Sequence, residues 1–519
     1  MKKQLLKLSA LCLLALVTTA TQAQRYVTEV FPSVNVTPSV TYANNFQVLT
    51  GTPVATDLKM DVYEPGGIAD PVTARPLIIL MHTGSFLPPY INQGATGSRK
   101  DSAFVEMCNR FARRGYVVAG MSYRLGWNPA GSDVDIRKGT LLGAVYRGIQ
   151  DAKSCVRYMR ANYATYGVDT THIILGGQGT GGYIALAYAT LDKPSEIQLL
   201  KFVSGTTNAT YGYTAGAPYI NQAVYGDFDG YGGLSFLNNP NNSPNHDNSV
   251  QFVFNLGGAL GDSSWLEAGD APMVAFHCVN DPFAPYGNGT VIVPTTGQPV
   301  VNVNGSQWIV ERANALGNNS SFNTAIYNDV FTTRANAING GQDGLFPLEL
   351  IDPSLVIPGD PFHGQAGPWE WYDSTVTVVT AQAYGKTQAE AIDIWNKSFL
   401  TNPDMSKAKG MAYIDTIMGY LNPRIANSLG LLTGIHKTTL EQKGVSVYPN
   451  PSTNNVKLTS SESIATVMIY DAIGNLVLEI KSVNALEYTI DRKGLEAGIY
   501  LVKTLSATNR QSIQKIILE

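Results

Sequence analysis

Between residues 45 and 200, short runs of consecutive apolar residues alternate with stretches in which apolar positions return every three or four residues. A run apolar on both faces suits a buried parallel strand, and the longer period suits an amphipathic helix. The alternation predicts a mostly parallel sheet with helices on both faces. The expected strands are Leu58 to Tyr63, Pro76 to His82, Tyr116 to Tyr123 and Thr171 to Gly177, and the expected helices are Ala103 to Arg114 and Leu141 to Tyr163. From about 203 to 250 the texture changes to Gly, Asn and Tyr, which favours turns. Such a length exceeds an ordinary connection, so a lid or wall over a site is expected there. Strands resume at Val250 to Leu256, Pro272 to Cys278 and Phe346 to Leu350, and Ala408 to Leu421 reads as a helix.

The pattern changes again near the end. After a linker at 433–444, period-two alternation marks short strands from Val445 onward: Val456 to Leu458, Thr466 to Asp471, Leu476 to Ile480, Glu487 to Ile490, Tyr500 to Thr504 and Ser512 to Leu518. That spacing predicts a small all-β sandwich over 445–519, separate from the α/β domain at 24–432.

At the other end, Lys2, Lys3 and Lys7 precede the apolar run Leu8 to Val17 and the small-x-small site Thr21-Gln22-Ala23. Residues 1–23 therefore read as a signal peptide, with Cys12 inside it. The apolar run is too short to span a bilayer, and no later segment reads as a transmembrane helix. Composition adds little beyond this. Across 519 residues, 15% are charged and the net charge is −4, so there is no electrostatic reason to expect nucleic acid as a partner. Past the signal peptide only Cys108, Cys155 and Cys278 remain, which argues for buried thiols rather than a disulfide framework or a zinc site.

The chemistry concentrates at Gly176-Gly177-Gln178-Gly179-Thr180-Gly181-Gly182, where an apolar strand meets an apolar helix. Small residues around a central position let a backbone turn sharply and present one side chain. Here the frame Gly177-x-Gly179-x-Gly181 puts glycine at the centre. Glycine cannot form a covalent intermediate, yet it leaves the N–H groups of the turn available to a carbonyl or carboxylate. Thr180 is the nearest hydroxyl, but centring the turn there sets Gln178 where a small residue is needed. Cys278 belongs to another strand. Whether the glycine is natural or engineered stays open at this point.

These features resemble an α/β-hydrolase of the carboxylesterase and lipase-like type, over roughly residues 45 to 425. Leu80-Met81-His82-Thr83-Gly84-Ser85-Phe86 is similar to the family's oxyanion loop, with Thr83 in place of a glycine, a departure expected to be minor. Ser122-Tyr123-Arg124-Leu125, Asp151-Ala152 and Tyr166-Gly167-Val168-Asp169 match further landmarks. The resemblance implies ester hydrolysis without a cofactor or metal, on a small-molecule or polymer ester. In family order it implies Gly179 at the nucleophile position, Asp281 as the acid and His363 as the base. It also implies an oxyanion hole from Gly84, Ser85 and Thr180. Two readings stay open: an ester hydrolase, or a pseudoesterase binding an ester, carbohydrate or lipid. His82 and His277 read as structural, and His172, His246 and His436 as surface or linker residues. Asp227-Phe228-Asp229-Gly230 reads as a turn rather than a calcium loop.

Tyr448-Pro449-Asn450-Pro451, Tyr470-Asp471-x-x-Gly474, Leu495-x-x-Gly498-x-Tyr500 and the Lys515-Ile516 end resemble the C-terminal sorting domain of type IX secretion. The implied partner is that secretion machinery, and the implied location is secreted or cell-surface, through the periplasm and outer membrane of a Gram-negative bacterium. A carbohydrate-binding sandwich is the alternative, though the module contains no Trp.

Overall fold

The structure, a computed structural model, describes residues 25–49, 51–293, 296–349, 354, 364–432, 445–471, 476–492, 494–506 and 511–519. The expected signal peptide, the 433–444 linker, His363 and His436 lie outside the described residues. The chain divides into two compact units, up to Leu432 and from Thr433.

In the first unit eight strands form one sheet in the order β1-β2-β4-β3-β5-β6-β7-β10. These are β1 (Ser33–Gln47), β2 (Val54–Gly66), β3 (Arg75–Met81), β4 (Val117–Met121), β5 (Val168–Gln178), β6 (Phe252–Leu256), β7 (Met273–Cys278) and β10 (Leu345–Leu348). β1 and β2 pair antiparallel, β2 meets β4 antiparallel, and the other neighbours are parallel. A hairpin, β8 (Asn288–Ile292) with β9 (Pro299–Asn304), stands apart from this sheet.

The unbroken apolar run of β3 is explained by its two faces. Leu77, Ile79 and Met81 join a core with α2 (Val134–Ala161) and α3 (Thr180–Thr190), whereas Ile78 and Leu80 join a second core with α1 (Ser102–Arg113). Cys155 lies in the first core and Cys108 in the second, and all three described cysteines are buried and free. β1 and the β8–β9 hairpin were absent from the sequence expectations. Much of β1 is exposed, so it lacks a clear apolar signature.

The 203–250 segment differs from the expected lid. None of its residues lines the central cavity described below. It packs along α2 instead: Tyr146 Oη donates to Gly226 O (2.9 Å), Gln150 Nε2 donates to Tyr225 O and Asp227 O (2.8 Å each), and Lys153 pairs with Asp229 (2.7 Å). Its turns supply the carbonyls that satisfy buried polar groups of α2. Asp227 closes one such turn by accepting from the N–H groups of Asp229 and Tyr231 (2.9 Å each).

The second unit is antiparallel and all-β. β12 (Val456–Asp471) pairs with β11 (Val445–Tyr448), β13 (Leu476–Ile490) and β14 (Gly498–Ser506), and β14 pairs with β15 (Gln511–Leu518). Four of the short strands expected from sequence are thus two long ones. The polar run Thr459 to Ser463 does not interrupt β12; it is absorbed as a register irregularity between Thr459 and Ile464.

Candidate active site

β5 ends at Gln178 and α3 begins at Thr180, so Gly179 alone makes the turn, at φ 48° and ψ −113°. A positive φ of this kind strains any residue with a side chain, by about 1–3 kcal/mol. Two positions away on each side stand glycines, Gly177 and Gly181, because backbone approaches them closely. A Cβ on Gly177 would stand 2.1 Å from the Gly181 carbonyl, and one on Gly181 would stand 2.4 Å from Met81 O. The turn is tied to the sheet where Gly179 N donates to Leu256 O (2.8 Å), and to the helix where Tyr183 N donates to Gly179 O (3.1 Å).

Facing it is the loop that follows β3. His82 is buried and stacks on Tyr123 at 4.8 Å. Burial pushes its pKa down to about 4, so the ring is neutral near pH 7 and Nδ1–H donates to Thr83 O at 2.6 Å. Tyr123 Oη donates to His82 O (2.7 Å), which leaves Thr180 Oγ1 as donor in its 2.9 Å bond to Tyr123 Oη. Gly84 turns at φ 128° against Gly97, whose Cα would be 2.4 Å from a Cβ at 84. Ser85 and Phe86 also have positive φ, 57° and 52°. Strain of this kind persists only where its surroundings fix it, and here the buried Phe86 ring packs on Tyr123. Among the described residues, the N–H groups of Gly84, Ser85 and Thr180 have no backbone acceptor.

The loop also carries Thr83, whose effect is larger than its sequence suggested. Thr83 Oγ1 lies 2.2 Å and Thr83 Cβ 3.0 Å from where a Cβ on residue 179 would stand. The threonine fills the volume that a nucleophile at 179 would need.

Asp281 follows β7 on a tight turn. Its Oδ1 accepts from Phe283 N (2.8 Å) and Ala284 N (3.0 Å), and its Oδ2 stands 3.5 Å from His277 Nε2. His277 is fully buried, with Nε2 donating to Ala284 O (3.0 Å) and Nδ1 bonded to Ser306 Oγ (2.8 Å). It is a core histidine that props the Asp281 turn. Gln365 N, two residues after 363, donates to Asn280 O at 3.1 Å, so the chain at Gln365 passes beside the residue preceding Asp281.

These elements surround a cavity of about 450 Å³. Thr83, Gly84, Ser85, Gly179, Thr180 and Asp281 all line it, with apolar walls from Phe86, Trp127, Leu141, Phe283, Ile292 and Leu400. A second polar wall was missed from sequence. Thr96, Glu370 and Tyr372 line the same cavity, and Thr96 Oγ1 lies 3.0 Å from Asp101 Oδ2 and 3.3 Å from Glu370 Oε1. Asp101 Oδ2 also accepts from Gly97 N (2.8 Å) and Ser98 N (3.0 Å). The Thr96 hydroxyl has one proton to offer the two acids, and Glu370 Oε2 also accepts from Tyr372 Oη (2.5 Å). Burial raises the pKa of Glu370 to about 7 and that of Asp101 to about 6. The run Trp369-Glu370-Trp371-Tyr372, an acid among aromatics, was the available signal.

Beyond the cavity lining, Arg124 and Asp151 form a buried pair, with Nε 2.8 Å from Oδ1 and Arg124 N 2.7 Å from Oδ2. The pair fixes the segment after β4 to α2. Among the described residues no group of His, Cys, Asp and Glu could hold a metal ion, and no helix is long and apolar enough to cross a membrane.

Residues 60–293 match the family described as BD-FAE, and residues 446–519 match the family described as the secretion system C-terminal sorting domain. Comparison with curated proteins gives no match. Among solved structures the chain is similar to Thermogutta terrifontis esterase 2 phosphorylated by paraoxon, at 18% identity over 62% of this chain and 83% of that one, with a TM-score of 0.32. The form phosphoramylated by tabun gives 17% identity over 72% and 98%, with a TM-score of 0.33. The sorting domain marks the chain for type IX secretion, to the cell surface or the extracellular space. The chain thus carries a BD-FAE domain, of the α/β-hydrolase esterase type, followed by a C-terminal sorting domain.

Proposed function

We propose that the cavity receives a carboxylic ester with its carbonyl oxygen at the N–H groups of Gly84, Ser85 and Thr180, and that residue 179 takes no covalent part. The observation that carries this reading is Gly179 itself. The turn keeps the φ of a nucleophile elbow and the N–H of Thr180, while its central residue has no side chain. Donors fixed before a ligand arrives stabilise an oxygen without reorganising, which is what an oxyanion site requires. Asp281 and His363 are the acid and base positions of this proposal. The apolar walls favour the neutral body of an ester, and the secretion signal makes an extracellular small-molecule or polymer ester the substrate class.

A pseudoesterase that binds an ester, carbohydrate or lipid is the second reading, favoured by the filled nucleophile volume beside Gly179. Calorimetric titration with a non-hydrolysable amide analogue of a short ester tests the shared element, the donor site. Binding should be measurable in the parent and lost in Gly84→Ala, where the added Cβ meets Gly97. Equal binding by both proteins would contradict the proposed oxyanion site.

A further inference from the structure

We propose that Thr83 has taken over from residue 179 the hydroxyl that meets the acyl carbon of a bound ester. The inference rests on the reading that the cavity holds an ester at the turn, and goes beyond it by naming a reacting group.

Three observations carry it. Thr83 Oγ1 occupies the side-chain volume of residue 179, 2.2 Å from the Cβ position there. The hydroxyl is partly exposed on the cavity wall and has no hydrogen-bond partner among the described residues. By contrast, the nearby hydroxyl of Thr180 is committed to Tyr123, and that of Thr96 to the two acids. Lastly, Thr83 is held from behind, since its carbonyl accepts from the buried His82 ring and the next residue, Gly84, turns against Gly97. A hydroxyl carried on a held backbone next to oxyanion donors has the arrangement that acyl transfer uses, approached here from the loop after β3 instead of from the turn after β5.

The step balances as an ordinary acyl transfer. A bond forms between Thr83 Oγ1 and the acyl carbon while the ester C–O bond breaks. The hydroxyl proton ends on the departing alcohol oxygen. Water then cleaves the acyl-threonine, releasing the acid and restoring the hydroxyl.

An alkyl fluorophosphonate tests this on the purified full chain. Its phosphorus would bond to Thr83 Oγ1 as fluoride leaves with the proton, and mass spectrometry of the digest locates the adduct. The expected result is an adduct on the peptide bearing Thr83, with turnover of short p-nitrophenyl esters. Thr83→Val, which keeps the shape, should lose the adduct and at least about a hundred-fold of turnover, whereas Thr83→Ser keeps both. Melting temperatures establish that the variants fold. Gly179→Ala supplies an independent variant, because its Cβ would displace the Thr83 hydroxyl and lower labelling without changing residue 83. An adduct elsewhere, turnover unchanged in Thr83→Val, or a parent with neither adduct nor turnover would overturn the proposal. If the amide analogue still binds in that last case, only the role of Thr83 fails; if it does not, the ester-site reading fails as well.

Discussion

Thr83 and Gly179 share one side-chain volume: the threonine hydroxyl stands 2.2 Å from the point where a Cβ on residue 179 would be. Thr83 taken alone is a modest departure from an esterase pattern, whereas glycine at residue 179 is a large one. Together they form a compensated pair, in which the bulk missing from the turn is supplied by the facing loop. Close packing makes such pairs interdependent, because a filled volume cannot accept a second side chain without displacement. Changes at either position are therefore expected to be strongly non-additive.

The two acids joined by Thr96 give the protein a pH dependence. Burial raises the folded-state pKa of Glu370 to about 7. The folded chain thus keeps a proton that the unfolded chain releases nearer the ordinary carboxylate range. Where the folded state binds more protons, stability falls as pH rises, here from the ordinary range up to about 7, and levels off above. Melting temperatures measured from pH 5 to pH 8 should decline in the parent and decline less in Glu370→Gln, whose neutral amide can still hydrogen-bond Thr96. Identical slopes would contradict the protonated Glu370.

The buried Arg124–Asp151 pair should be costly to break on one side. Asp151→Ala leaves a buried guanidinium without its carboxylate, and the expected loss is about 3–5 kcal/mol by denaturant unfolding. Replacing both residues with apolar side chains of similar volume should cost distinctly less. Additive losses would argue against a coupled pair.

Much of this fold was legible because apolar runs and helical periodicity survive wherever the sheet is buried on both faces. Pro76 to His82 and Thr171 to Gly177 announced the two strands that carry the Thr83 loop and the Gly179 turn. β1 was not legible, since most of its side chains face outward. The role of 203–250 was misread because length and turn content say only that a segment is not a simple connection. What it packs against depends on Tyr146, Gln150 and Lys153 of α2. At the site, family order pointed to Gly179 and Asp281, and both line the cavity. That order could not give the contact between Thr83 and Gly179, which lie on different loops and meet only in space. Thr96, Asp101 and Glu370 were hidden for the same reason.

Removing residues 440 to 519 should leave a folded hydrolase unit that accumulates in the periplasm of the producing cell, because the sorting domain is what directs type IX secretion. Fractionation followed by immunoblotting checks this. A truncated protein that still reaches the surface or the medium at normal levels would contradict the role given to the tail.

The exchange between positions 83 and 179 is tested most directly by hydrolysis of short p-nitrophenyl esters in four proteins: the parent, Gly179→Ser, Gly179→Ser with Thr83→Gly, and that pair with His363→Ala. The single serine should fall below the parent, because its Cβ meets Thr83 and its backbone is strained at φ 48°. Opening the facing loop should let the serine act, with a gain that can approach the roughly million-fold worth of an assembled nucleophile. Adding His363→Ala should remove that gain. A single Gly179→Ser variant as active as the double variant would contradict the shared volume, and with it the account of this site.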